Sequence, residues 1–315
     1  MGILPFLGVL VFAAESVVSP VPDEVLRTHA PVVITSDAAA PGDGFTSSIE
    51  PAILGAMTSV PFETPSPEAP GISEPIVTES SPSPTPTASP TRGTRKKSMT
   101  ITLLGDSMID TLGPDGGGLP SLLKKTYPDT TFTVINHGVG AENIDSGLKR
   151  MTNGYTYLGQ PRDSVVSGHP DVLVVESFGY NPYPYEDGAI TNHWLRLAAI
   201  RDVVRNQLPD TKIVIAATIA PNWDVFGDGA PFISFSPEGK KQKVQHIDSY
   251  IESTIAFARG EHLPLADAYH PSRGADGNGK KSYINGGDHI HYSDAGRAFF
   301  ASILADTIVA SRVLE

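Results

Sequence analysis

The sequence predicts a three-layer α/β/α sandwich of flavodoxin-like type from Ser98 onward, built on a central parallel sheet of about five strands. Two observations predict it. Apolar runs of strand length recur at residues 100–104, 132–135, 172–176, 213–217 and 263–266, and segments compatible with amphipathic helices separate them. The runs are nearly continuous rather than alternating, as expected of strands buried on both faces, which requires helices above and below a parallel sheet.

The elements follow in order. The first strand, Met99-Thr-Ile-Thr-Leu-Leu104, runs into Gly105-Asp106-Ser107, a set of turn residues that places a serine hydroxyl at a strand end. A helix is expected near 117–127, and then Phe132-Thr-Val-Ile135 leads into Asn136-His137-Gly138-Val139-Gly140-Ala141. A helix near 143–151 precedes the third strand, which begins Val172-Leu-Val-Val175 and is followed by Gly179-Tyr180-Asn181. Helices near 190–207 and 238–258 flank the strand at 213–217, and after the last strand Ser293 is the expected N-cap of a helix reaching about Val309.

Open parallel sheets present their chemistry at the carboxyl ends of the strands. Ser107 stands at such an end, and Gly287-Asp288-His289-Ile290-His291 offers an Asp three residues ahead of a His just before a helix. A serine, a base and a carboxylate that orients the base make up a nucleophilic constellation.

With these four blocks, in this order and each at a strand end or helix start, the C-terminal two thirds of the chain resembles the SGNH (GDSL-type) hydrolase family. The resemblance implies Ser107 as nucleophile, His291 as base and Asp288 as its orienting carboxylate. It also implies an oxyanion hole made by the Ser107 N–H, the N–H of Gly140 or Ala141, and the Asn181 side-chain amide. Two departures stand out. Pro182 follows Asn181 where the family has an acid, and Ala141 takes the last glycine position of the second block, with Gly140 one residue early. A backbone N–H is supplied by any residue except proline, so either residue remains a donor candidate.

Tyr183, Tyr185 and Trp223 fall on loops at the same edge and are candidate stacking residues for a sugar or acyl group. His289 is expected to point away from His291 and to be structural, and His137 is a candidate pocket-lining residue. The loop Asp276-Gly-Asn278-Gly-Lys280 lacks the distal bidentate acid of a calcium loop and reads as a turn. No metal or cofactor is called for.

The N-terminal third has a different character. Residues 1–14 form a mostly apolar segment of secretory length, a signal or anchor and so a candidate membrane tether, although it lacks the usual basic start. Residues 15–97 read as a Pro/Ser/Thr-rich disordered linker: 14 of the 28 prolines lie between residues 15 and 91, and such a composition buries too little apolar area to offset the entropy of ordering. The basic knot Arg92, Arg95, Lys96 and Lys97 closes it and reads as a solvated boundary.

The chain carries a net charge of −12, and no basic face or aromatic-interleaved motif points to nucleic acid. Zero cysteines exclude disulfides and thiolate metal sites. The expectation is thus a secreted or cell-surface serine esterase for a small-molecule or polysaccharide ester, such as a short acyl group on a carbohydrate or cell-wall polymer. The alternatives are O-acyl transfer to a glycan, or a non-catalytic surface-binding protein on the same scaffold.

Overall fold

The computed structural model describes residues 96–315. The signal or anchor segment and all but the last two residues of the expected linker lie outside the described residues. Lys96 and Lys97 are already held by the domain: Lys96 Nζ pairs with Asp171 at 2.6 Å, and the Lys97 carbonyl accepts the Thr131 N–H at 2.8 Å.

Five parallel strands, β1 (Ser98–Gly105), β2 (Thr131–Gly138), β5 (Val172–Glu176), β6 (Lys212–Ala217) and β7 (Leu265–Asp267), form one sheet in the order β2-β1-β5-β6-β7. All five fall where the sequence predicts strands. The large helices do likewise: α2 (Leu119–Thr126), α3 (Ile144–Thr152), α4 (Ala189–Gln207), α5 (Pro237–Gly260) and α6 (Asp294–Ala310). Ser293 caps α6 as expected, its hydroxyl accepting the Gly296 N–H at 3.0 Å. Two elements were not anticipated. One is the single turn α1 (Ser107–Asp110), and the other is a hairpin of β3 (Tyr155–Tyr157) and β4 (Gln160–Arg162). Leu158 and Gly159 close the hairpin, both at positive φ (49° and 73°), which suits the right-handed twist of a two-residue hairpin loop.

The apolar runs explain the layers. Val172, Val174, Val214 and Ala216 face one core with Leu119 and Leu123 of α2 and Phe300, Leu304 and Ile308 of α6. The intervening Leu173, Val175, Ile213 and Ile215 face a second core with Ile144 and Met151 of α3 and Leu197, Ile200 and Val204 of α4. Side chains alternate every residue along a strand, so a run that is apolar throughout fills both cores at once.

The strand order reverses direction about β1, whose neighbours are β2 and β5. A crevice opens at the carboxyl ends of strands at such a switch point. The register aligns those ends, with Gly105 opposite Gly138 and Leu104 opposite Val175. The first turn after β1 lies so close on β2 that a Cβ built on Gly138 would come within 2.1 Å of the Asp110 nitrogen.

Behind this edge, His193 of α4 is buried, and its Nε2–H donates to the Ser177 carbonyl at 2.8 Å. Burial holds its pKa down at about 4, against the 6.5 of an ordinary histidine. The unfolded chain therefore takes up a proton that the folded protein refuses. The stability this represents is fully present above pH 6.5 and is lost as pH falls toward 4, by about 3 kcal/mol over that interval. Accordingly, the gap in unfolding free energy between wild type and His193→Asn, measured by urea denaturation, should narrow by about that amount between pH 7 and pH 4. A gap independent of pH would contradict the assignment.

Candidate active site

Three neighbouring strands deliver the residues singled out in the sequence to one edge. Ser107 begins α1 directly after β1 and is partly accessible, whereas Asp106 and Met108 on either side are buried. Asp106 is the N-cap of this turn, and its Oδ1 accepts the Met108 N–H at 2.8 Å. Its Oδ2 accepts one N–H of the Asn181 amide at 3.0 Å, which ties the loop after β5 to the serine turn. The Asn181 nitrogen keeps a second N–H for another acceptor.

On the other side of β1, Asn136 joins β2 to the same turn. Its amide donates to the carbonyls of Ile109 and Gly113, both at 2.8 Å, and its oxygen accepts the Gly138 N–H at 2.8 Å. The Gly140 N–H donates to Tyr157 Oη at 3.1 Å, and that hydroxyl donates to Asp110 at 2.7 Å, so the hairpin braces the second block. Ala141 is exposed and sits in the left-handed region at φ 59°. Of the two donor candidates, Gly140 thus has its N–H committed to Tyr157.

The candidate base, His291, arrives on the loop that precedes α6. Residues 284–292 form a loop closed by a bridge between Ile284 and Tyr292 and by the Asn285 N–H donating to the His291 carbonyl at 2.8 Å. Tyr292 anchors it below, its hydroxyl 2.5 Å from Thr218 Oγ1 at the end of β6. His291 Nδ1 lies 2.8 Å from Asp288 Oδ2. A carboxylate only accepts, so Nδ1 carries the hydrogen and Nε2 is left with a free lone pair. Burial alone would raise the Asp288 pKa, but hydrogen bonds from the His291 ring and from the Ile290 and His291 N–H groups outweigh it, and the carboxyl lies below its usual range. The His291 ring lies near Asp106, so this loop and the serine turn share one edge.

Beneath the turn lie two buried ionisable side chains that the sequence did not single out. Arg150 of α3 is buried, and it donates to the carbonyls of His137 at 2.6 Å, Gly105 at 3.1 Å and Ser146 at 3.3 Å. Glu176 ends β5 and is fully buried. Its only sequence signal was an acid closing an otherwise apolar run.

The remaining sequence candidates divide. Tyr185 is exposed and stacks on His246 with ring centroids 3.8 Å apart. Tyr183 packs against the second core, and its hydroxyl is engaged by Asp145 and Arg196. Trp223 packs partly against the first core. His289 Nδ1 contacts the Asp228 carbonyl at 2.7 Å and so pins the 225–235 loop to the His291 loop. A Cβ on Gly229 would lie 2.4 Å from the Gly287 oxygen, a second close approach between the same loops. That loop presents Phe232, fully exposed at φ 63°, an aromatic the sequence reading did not select.

His137 is buried with its pKa held down to about 4 by burial, and it lines a cavity of about 580 Å³ with Asp110, Asn136 and Arg162. That cavity flanks β2 and is not lined by Ser107, Asp288 or His291. In the 276–280 loop, Asn278 Oδ1 accepts the Trp223 and Gly279 N–H groups, so its oxygen is spent on backbone.

The left-handed conformation of Ala141 yields a direct test. Glycine adopts it without the Cβ penalty, so Ala141→Gly should stabilise the protein by up to about 1 kcal/mol. Its melting temperature should match or exceed that of wild type, and a clear fall would show that the Ala141 methyl has a packing role.

No curated protein sequence matches the chain. Among solved structures, it is similar to a GDSL-like lipase from Bacteroides thetaiotaomicron VPI-5482, with 14% identity, a TM-score of 0.48, and coverage of 68% of this chain and 89% of that one. The lipase/acylhydrolase from Enterococcus faecalis has 18% identity and a TM-score of 0.47, covering 68% of this chain and 96% of its own. An acetyl xylan esterase, AlAXEase, has 17% identity and a TM-score of 0.46, with coverage of 68% and 99% respectively. The model of the GDSL-like Lipase/Acylhydrolase family matches residues 103–299, more than half of the chain. That span contains the serine turn, both neighbouring strand ends and the His291 loop, and the chain belongs to this family of ester hydrolases.

Proposed function

We propose that the protein is a serine esterase that cleaves an oxygen ester through an acyl-enzyme on Ser107. Its substrate carries a short acyl group on a carbohydrate or cell-wall polymer, and it acts as an exported or surface-tethered enzyme. The observation that carries the reading is the His291–Asp288 contact of 2.8 Å on a loop set against the Ser107 turn. A serine hydroxyl is a weak nucleophile until a base removes its proton, and an imidazole held through Nδ1 presents Nε2 for that step.

Each residue then has a role. Ser107 Oγ attacks the carbonyl carbon while His291 Nε2 takes its proton, and the same proton passes to the departing alcohol oxygen. Water repeats the sequence to release the acid. The negative oxygen of each tetrahedral intermediate is met by the Ser107 N–H, the Ala141 N–H and the second N–H of Asn181. Ala141 is preferred over Gly140 because the Gly140 N–H already serves Tyr157.

The substrate class is supported by the exposed aromatic rings of Tyr185 and Phe232 on loops at this edge and by the Pro/Ser/Thr-rich segment that precedes the domain. Flat aromatic faces suit the apolar faces of sugars. Export rests on the apolar N-terminal segment.

The full-length protein treated with a fluorophosphonate probe should be labelled at Ser107. Ser107→Ala and His291→Ala should each remove nearly all turnover of p-nitrophenyl esters with the fold intact, because they serve one step. Within the ester panel, acetate should be preferred over longer chains. Full turnover in Ser107→Ala would end the serine reading, and a preference for long chains would end the short-acyl one.

The oxyanion assignment is separable. Asn181→Ala should lower kcat on the order of 10²–10³ with little change in KM. Ala141→Pro, which deletes the donor, should be similarly severe where Ala141→Gly is mild. A folded Ala141→Pro with wild-type kcat would place the donor elsewhere.

A further inference from the structure

We infer that Glu176 is a positioning residue for this reaction: from its buried place it clamps the ends of β1 and β5 together and so sets the spacing between the Ser107 N–H and the Asn181 amide. The inference rests on the serine-esterase reading and extends it to a residue outside the triad and the oxyanion donors.

The geometry is specific. Glu176 Oε2 accepts the Phe178 N–H at 2.9 Å and faces the Asp106 N–H at 3.5 Å. The first of these belongs to the loop that carries Asn181, and the second lies one residue before Ser107. Oε1 lies 2.5 Å from Ser177 Oγ, which also receives the Gly179 N–H at 3.3 Å. One carboxyl group therefore gathers the strand end that carries the nucleophile and the turn that carries the amide. Gly105 makes room for it, since a Cβ there would come within 2.9 Å of the Glu176 Cβ.

Two buried carboxyls, Asp106 and Glu176, share this space, and two negative charges so close in a dry interior repel strongly. Burial raises the pKa of Asp106 as well, but N–H groups of Met108 and Asn181 point at it and Arg150 and His291 lie near, all of which oppose that rise and favour the charge on Asp106. Glu176 keeps the proton, because burial and the Asp106 charge both push its pKa well above that of an ordinary carboxyl. A neutral acid retains one acceptor oxygen for the two N–H groups, and its other oxygen shares a hydrogen bond with the Ser177 hydroxyl.

A glutamine reproduces that pattern with its carbonyl and its NH₂, which makes the test sharp. Glu176→Gln should stay within about threefold of wild-type kcat, whereas Glu176→Leu, similar in size but without acceptors, should lose on the order of 10²-fold in kcat with KM little changed. Glu176→Asp keeps the acid but withdraws it from both N–H groups, so it should resemble Leu and serves in its place if Leu prevents folding. Melting temperatures and fluorophosphonate labelling rates accompany each full-length variant. Wild-type kcat in folded Glu176→Leu or Glu176→Asp would overturn the assignment, as would a Glu176→Gln as impaired as Leu. Absence of Ser107 labelling in the wild type would instead overturn the serine reading beneath it.

Discussion

Everything at the catalytic edge depends on how the ends of β1, β2 and β5 are neutralised where they are buried. Strand ends leave carbonyl and N–H groups without ladder partners, and such groups are costly away from water. Here the carbonyls of Gly105 and His137 are gathered by Arg150, and the N–H groups of Met108 and Phe178 are taken by Asp106 and Glu176. The buried cation and the buried Asp106 charge offset each other across the turn. Truncating any one of them would leave its partners buried without a counterpart, which is costly.

This anchoring lets the chemistry sit on loops without being loose. Ser107 opens a helical turn fixed by the Asp106 N-cap, Asn181 is held by Asp106, and the second block is braced through Tyr157 to Asp110. The His291 loop is closed on itself and seated on Thr218 through Tyr292. Donors that are already in place when charge develops need no reorganisation at that moment, and this is the source of most of their value.

Much of the site was legible because each block combines a residue type that does chemistry with a position at a strand end. The Asp288 to His291 spacing is one case: three residues in a tight loop bring the carboxylate onto Nδ1 and onto two backbone N–H groups at once. The tether between Asn181 and Asp106 and the commitment of the Gly140 N–H to Tyr157 were not legible. Both depend on partners more than 15 residues away, brought in by pairing across the sheet or by a hairpin with no periodic signal. Among the aromatics, Tyr183, Tyr185 and Trp223 looked alike as loop residues, and only tertiary packing against the two cores separates the half-buried rings of Tyr183 and Trp223 from the exposed one of Tyr185.

The sequence by itself determined the alternation of strand and helix and the parallel sheet, because apolar runs filling two cores leave few other arrangements, and it singled out Ser107, His291 and Asp288 as candidates. The tertiary structure decided which charges are buried. Arg150 and Glu176 read locally as an ordinary helix cation and a strand-end acid, and nothing in their neighbours marks them as central. Their role comes from the strand order, which places Glu176 beside Gly105 and lays α3 across the ends of β1 and β2. Burial is a property of the whole packed molecule, and it makes these two side chains the frame of the site.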